Sequence, residues 1–297
     1  MSELIWDTKT SDLRDPILVA AFRGWNDAAM AASSAVAFIG TTLDATRVAR
    51  IDPENFYDFQ SARPIIDLST PGEHTLEWPE VEFYGAHVPD GERDLVLLIG
   101  TEPSMRWRTF CGLVIEAAQQ LGVRRTVTLG ALLADAPHTE PIDLTGMASN
   151  EDLIEGITGR PPSYHGPTGI VGVLHHAFVE AGFEALSLWA PVPHYAAGVP
   201  NPKGALALVH GVQSTAGITF DTAELEASAD EHEQQITRAV QSDPRLQAHV
   251  EGLEHDNDDS ADETSEDEPL PSGDELAKEL ERFLRQLDDD ATDPHAP

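Results

Sequence analysis

The run Leu95-Val96-Leu97-Leu98-Ile99 offers no polar position to either side of a strand. Successive side chains of a strand point to opposite faces, so a strand of this kind has to be covered on both. Residues 17–22, 47–51, 126–133 and 185–192 share its richness in apolar and β-branched side chains. Helical patterns lie between them. An Ala-rich run over 27–39 is expected to end at Gly40. Over 105–121, Trp107, Phe110, Val114, Ala118 and Leu121 share one face before Gly122, a residue suited to stopping a helix. The alternation predicts an α/β fold with a mainly parallel sheet flanked by helices.

Residues 64–88 break the alternation. Ile65-Ile66-Asp67-Leu68 is followed by a Pro71-Gly72 turn and then by extended runs over 75–78 and 81–87, which predicts an inserted antiparallel hairpin. Leu68, Leu76 and Trp78 on such a hairpin need something to pack on. Another subunit serves as well as the chain's own core, so a homo-oligomer is expected. Beyond about residue 217 the sequence turns Glu-rich and helical, over 222–241 and 244–253. Residues 253–273 are Asp, Glu and Ser with almost no apolar side chain; they cannot offset the entropy of folding and are expected to form a flexible linker. Over 272–287, Leu276, Leu280, Phe283, Leu284 and Leu287 form an amphipathic stripe that must dock on the body or on a partner. The chain therefore divides into a core at 1–216, with its hairpin at about 64–88, and a helical extension at 217–297 containing the acidic linker.

The formal net charge is −34, and acidic residues outnumber basic ones in the body as well as in the tail. Such a surface repels phosphate backbones and anionic lipid, which argues against nucleic-acid and membrane partners. The first ten residues carry no apolar core of a signal peptide, and no stretch approaches the roughly 20 apolar residues that span a bilayer. The lone Cys111 can supply neither an internal disulfide nor a paired-cysteine metal or redox motif. A soluble cytoplasmic protein is expected.

In a parallel α/β sheet, ligands bind outside the carboxyl ends of the strands, so the loops leaving the strands are where chemistry would sit. In Phe22-Arg23-Gly24-Trp25-Asn26-Asp27, an anion could rest at the following helix with Arg23 assisting, while Asp27 most simply caps that helix. In Gly100-Thr101-Glu102-Pro103-Ser104-Met105-Arg106, Glu102 and Arg106 could orient a polar ligand, or Ser104 could cap beside an exposed ion pair. Asp135, His138 and Glu140 follow the next strand, at a spacing that matches no metal motif. Tyr164-His165-Gly166-Pro167-Thr168-Gly169 is a tight turn leading to a helix with His175 and His176. Adjacent helical residues point about 100° apart and cannot chelate one ion. Trp189-Ala190-Pro191-Val192-Pro193-His194-Tyr195 either walls a pocket or makes a rigid turn. There is no G-x-S-x-G elbow, H-E-x-x-H pair or Walker loop, so the residues name no reaction, cofactor or metal.

Taken together, Gly24-Trp25-Asn26-Asp27-Ala28-Ala29, Phe56-Tyr57-Asp58 with Arg63-Pro64, Leu129-Gly130-Ala131-Leu132-Leu133-Ala134-Asp135-Ala136-Pro137-His138 and residues 187–195 resemble the proteasome assembly chaperone 2 family. The likeness is closest to its actinobacterial branch and spans roughly residues 15–215. The resemblance implies a core like that of purine nucleoside phosphorylase and peptidyl-tRNA hydrolase. For the branch it further implies a trimer assembled through the hairpin, and a helical lid over a strand-end pocket. Some relatives that assemble proteasome rings dock through a C-terminal hydrophobic-Tyr-any residue motif. This sequence ends Asp293-Pro294-His295-Ala296-Pro297, so engagement of a proteasome by that route is not expected.

Two functions fit. One is a noncatalytic cytoplasmic assembly factor or scaffold acting through its oligomeric surface on a protein partner. The other is an enzyme or sensor holding a small polar ligand in a lidded pocket at the strand ends. The second requires Arg23, Asp27, Glu102, Arg106, His138, Tyr164 and His194 to converge on one cavity.

Overall fold

The structure, a computed structural model, describes residues 3–7, 12–70, 74–150, 153–154 and 164–262. Its elements are β1 (Leu4–Trp6), β2 (Ile17–Arg23), α1 (Ala31–Thr42), β3 (Thr46–Ile51), β4 (Ile65–Asp67), β5 (Thr75–Glu77), β6 (Val81–Ala86), β7 (Leu95–Thr101), α2 (Trp107–Gln120), β8 (Arg125–Ala134), β9 (Thr145–Ala148), α3 (Ile170–Glu180), β10 (Glu184–Pro193), α4 (Pro202–Ala216), α5 (Ala223–Ser242) and α6 (Pro244–Asp262). Eight strands form one mixed sheet in the order β1-β3-β6-β7-β2-β8-β10-β9. The centre, β7-β2-β8-β10, is parallel; β6, β3 and β1 extend it antiparallel on one side and β9 on the other.

Two-sided burial explains the apolar runs. Along β2, Ile17, Val19 and Ala21 join the core under α1 and α4, while Leu18, Ala20 and Phe22 join the core under α2 and α3. Phe110 of α2 meets Phe22 and Phe56 edge-on, with ring centroids 5.9 and 5.7 Å apart. All three rings are fully buried, and each contributes about 1.5–3 kcal/mol. The Ala-rich face of α1 permits close packing on α4, where a Cβ at Gly204 would lie 3.0 Å from that of Ala31. Gly40 does not end α1, which runs to Thr42; instead it makes room for Leu97, 3.3 Å from where its Cβ would be.

The hairpin is smaller than the sequence suggests. Only β4 and β5 pair apart from the main sheet; Val81–Ala86 is β6, hydrogen-bonded between β3 and β7. Its closeness to β7 is why Gly100 is glycine, since any side chain there would overlap the Glu80 carbonyl. Residues Met1–Glu254 form one compact unit, so α5 and the first part of α6 belong with the sheet. Helix α6 continues to Asp262, into the stretch read as linker. The rest of that linker, the stripe over 272–287 and the Pro71-Gly72 turn lie outside the described residues. Among the described residues no helix is long and apolar enough to cross a membrane.

Candidate functional site

The carboxyl ends of β2, β7, β8 and β10 point the same way, and the loops leaving them build two polar clusters. The first joins the exits of β2 and β7. The β2 loop is stitched to β8, the Ala131 N–H donating to the Asn26 carbonyl at 2.8 Å. Asp27 then reaches forward over a short 3-10 turn to the start of α1, accepting from Ser33 N at 3.0 Å and from Ser33 Oγ at 2.5 Å. Burial raises the Asp27 carboxyl, and the bonds from Ser33 and Ala32 oppose the shift. Glu102 accepts from Ile170 N at 2.8 Å, at the first residue of α3, and from Trp25 N at 3.3 Å. One carboxylate thus ties both loops to the positive end of α3. Asn26 is buried beside it, its Oδ1 without a partner.

These loops carry backbone strain. Ala29, Met30 and Arg106 have φ of 48°, 55° and 55°, a left-handed conformation costly for side chains that cannot bond their own backbone. Arg106 makes its contacts elsewhere than at Glu102. Its Nη1 bonds Glu3 Oε1 at 2.7 Å, and its guanidinium lies 5.4 Å from the Phe56 ring centroid. Replacing Glu102 by alanine leaves the Ile170 and Trp25 N–H groups without their acceptor, and is expected to cost about 1–2 kcal/mol in urea unfolding. An unchanged midpoint would contradict this reading of the carboxylate.

The second cluster joins the exits of β8 and β10 to α4, α5 and α6. Tyr195 Oη accepts from His138 N at 2.8 Å and lies 2.9 Å from His138 Nδ1, while His138 Nε2 lies 3.0 Å from Thr237 Oγ1. Lys203 donates to the His138 carbonyl at 2.6 Å and pairs with Glu233. His194 Nδ1 lies 3.1 Å from Asp135, and its ring stands edge-on to those of Tyr195 and His249. Thr139 donates to Glu254 at 2.5 Å. Burial lowers His138.

The seven residues singled out from the sequence are therefore distributed. Asp27 and Glu102 serve the first cluster and His138 and His194 the second. Arg106 pairs with Glu3, and the exposed Tyr164 donates to the Pro167 carbonyl at 2.8 Å. Arg23 lines a cavity of about 650 Å3 between hairpin residues Leu76, Glu77 and Trp78, sheet residues Ile5, Arg50 and Glu82, and Glu80 just ahead of β6. Lys203 and Glu233 are sites the sequence reading passes over. Lys203 had a signal: it is the sole Lys between residues 10 and 277, placed in a helical first turn where the dipole disfavours a cation. Among the described residues, no three His, Cys, Asp or Glu side chains gather as metal ligands would.

A family model described as the PAC2 family matches residues 21–240. The chain belongs to the PAC2 family. A PAC2 family protein from Streptomyces avermitilis is 41% identical, covering 80% of this chain and 100% of its own, with a TM-score of 0.74. A proteasome-assembly chaperone homologue from Mycobacterium tuberculosis is 40% identical over 79% of this chain and 99% of its own, with a TM-score of 0.73. A Corynebacterium glutamicum protein of unknown function shares the PAC2 fold at 22% identity, with a TM-score of 0.82 over 89% of this chain and 99% of its own. A search of curated proteins found no match.

Proposed function

We propose that the protein is a noncatalytic, homo-oligomeric assembly factor or scaffold of the cytoplasm, and that its partners are proteins. The observation that carries this reading is the hairpin β4–β5, where Ile65, Ile66, Leu68, Leu76 and Trp78 are between 43% and 65% exposed. A two-stranded hairpin is marginal by itself in water, and an apolar patch of this kind is stabilised by a second copy. The trimer implied by the family resemblance fits that role. Trp25, Met30, Met105, Leu132 and Leu133 are also exposed, on strand ends and the loops leaving them, and leave a second apolar surface for a client. The name of the 40% identical relative supports a client of the proteasome-ring kind. The test is an assembly reaction of purified proteasome ring subunits with and without the protein. Faster ring formation, lost on changing Trp25 and Leu133 to aspartate, is expected; unchanged assembly together with no binding to the subunits overturns the client.

The cavity beside Arg23 favours a second reading, a small ligand. Five carboxylates, from Asp52, Glu54, Glu77, Glu80 and Glu82, line it against two guanidiniums, from Arg23 and Arg50, so a cationic or neutral ligand suits it better than a phosphate. A thermal-shift series with small cations, neutral polar molecules and phosphates decides: stabilisation by phosphates alone contradicts this charge argument.

A further inference from the structure

We infer that the second half of α5 and the start of α6 form a latch over the β8 and β10 exits, closed while His138 and His232 are neutral and released by mild acid. The hardware is asymmetric. The first half of α5 is held by apolar packing, Leu225 lying in the core beneath α4 and Ala229 buried after it. The second half and α6 are held mainly by polar groups, with Val240 and Val250 as their buried apolar contacts. Breaks stand at both ends of α5. Gly217, at φ 65°, ends α4 six residues before α5 begins, and Asp243 is extended ahead of Pro244.

Protonation acts at the centre of this contact. His138 has both ring nitrogens engaged, by Tyr195 from the β10 exit and by Thr237 from α5. As a neutral ring it donates through one nitrogen and accepts through the other; as a cation it can only donate. His232 of α5 is buried, with Nε2 lacking a partner, so a charge there would be uncompensated at that atom. The charged groups facing His138 are Lys203 from α4, His232 and Glu233 from α5, and Glu254 from α6. His232 faces Lys203 and Glu233. Glu233 pairs with Lys203 and Glu254 accepts from Thr139, so each carboxylate is shared with another donor, and their attraction for a new cation offsets only part of the burial cost. Outside this centre, His194 Nδ1 lies 3.1 Å from Asp135, and its ring stands 5.3 Å from that of His249.

Burial lowers both His138 and His232, and Lys203 pushes them the same way, outweighing Glu233, which opposes the shift at both, and Glu254, which opposes it at His138. A histidine depressed in the docked state favours docking fully above its ordinary value near 6.5. That contribution fades as pH falls from there towards the depressed value. The latch is thus closed at neutral pH and weakens over the mildly acidic range.

Hydrogen exchange on the full chain, corrected for the intrinsic effect of pH, tests this at the amides of residues 232–254. Protection there is expected to fall about tenfold between about pH 7.5 and about pH 5.5, while α2 stays protected. The double variant His138→Gln/His232→Gln keeps neutral hydrogen-bonding groups and should be flat across the range. His176→Gln, at an exposed surface position, should behave as the parent. Histidine ring protons followed by NMR in the unaltered protein should show His138 and His232 titrating below the ordinary value, together with the loss of protection. A flat profile in the unaltered chain, or the same fall in the double variant, overturns the latch. If the double variant does not fold, loss of protection that fails to track the two titrations overturns it equally.

Discussion

Replacing Asp94 by alanine should destabilise the fold by about 3 kcal/mol, the lower end of what removing one partner of a buried ion pair costs. The side chain is fully buried where the chain enters β7. Its two oxygens accept from Arg14 N at 2.8 Å, Arg14 Nε at 3.1 Å, Arg14 Nη2 at 2.6 Å and Val88 N at 3.0 Å, and face His87 Nδ1 at 3.0 Å. Alanine would strand these donors around a vacated carboxylate site. The lower figure applies because Arg14 is half-exposed and water screens its charge. Burial pushes the Asp94 carboxyl up, but the Arg14, Val88 and His87 bonds outweigh it and hold the group far below the usual carboxylate range. A depressed carboxyl contributes stability that is complete above its unfolded value near 3.9 and is lost as pH falls below it. Chemical denaturation from neutral to strongly acid pH should therefore show a shallower acid loss in Asp94→Ala than in the parent. A loss under about 1 kcal/mol, or parallel pH profiles, would show that this carboxylate does not anchor the sheet.

The paired change Ile66→Asp/Leu68→Asp should weaken self-association about a thousandfold without disturbing the single-chain fold. Both side chains are more than half exposed in one copy, so aspartate costs the isolated chain little. At the centre of an interface, each of two large apolar anchors is worth about 2 kcal/mol, and together they approach three orders of magnitude in dissociation constant. Neither residue lines the cavity beside Arg23, so the variant separates self-association from ligand binding. Val179→Asp, which alters an exposed apolar residue of α3, serves as the control. Sedimentation velocity over a dilution series reads the change. Equal loss in the control, or none in the hairpin variant, would remove the hairpin from the interface.

The parts of the fold legible in sequence are those dictated by local burial. Leu95-Val96-Leu97-Leu98-Ile99 had to be a strand covered on both faces, and it is the start of β7 in the parallel centre. What sequence could not assign was partner choice. Val81–Ala86 carries an ordinary strand pattern, but whether it pairs with β5 or with β3 and β7 is decided by contacts distant along the chain. The clusters divide the same way. Asp27 as a helix-capping group was legible because capping is local. Glu102 and Arg106 are four residues apart, the spacing of a helical ion pair, yet α2 begins only after Arg106, which pairs with Glu3, 103 residues away. Lys203 and Glu233 meet because α5 packs against α4, a long-range fact with no signature at either residue beyond the misplaced cation.

The central claim, that this PAC2 chain works as an assembly of identical copies, rests on the mass of the unaltered full-length protein at micromolar concentration. Sedimentation equilibrium at several loading concentrations measures it independently of shape. The account predicts a single assembly at three times the 32.2 kDa chain mass, dissociating only on strong dilution. A species of 32.2 kDa at every concentration would contradict it.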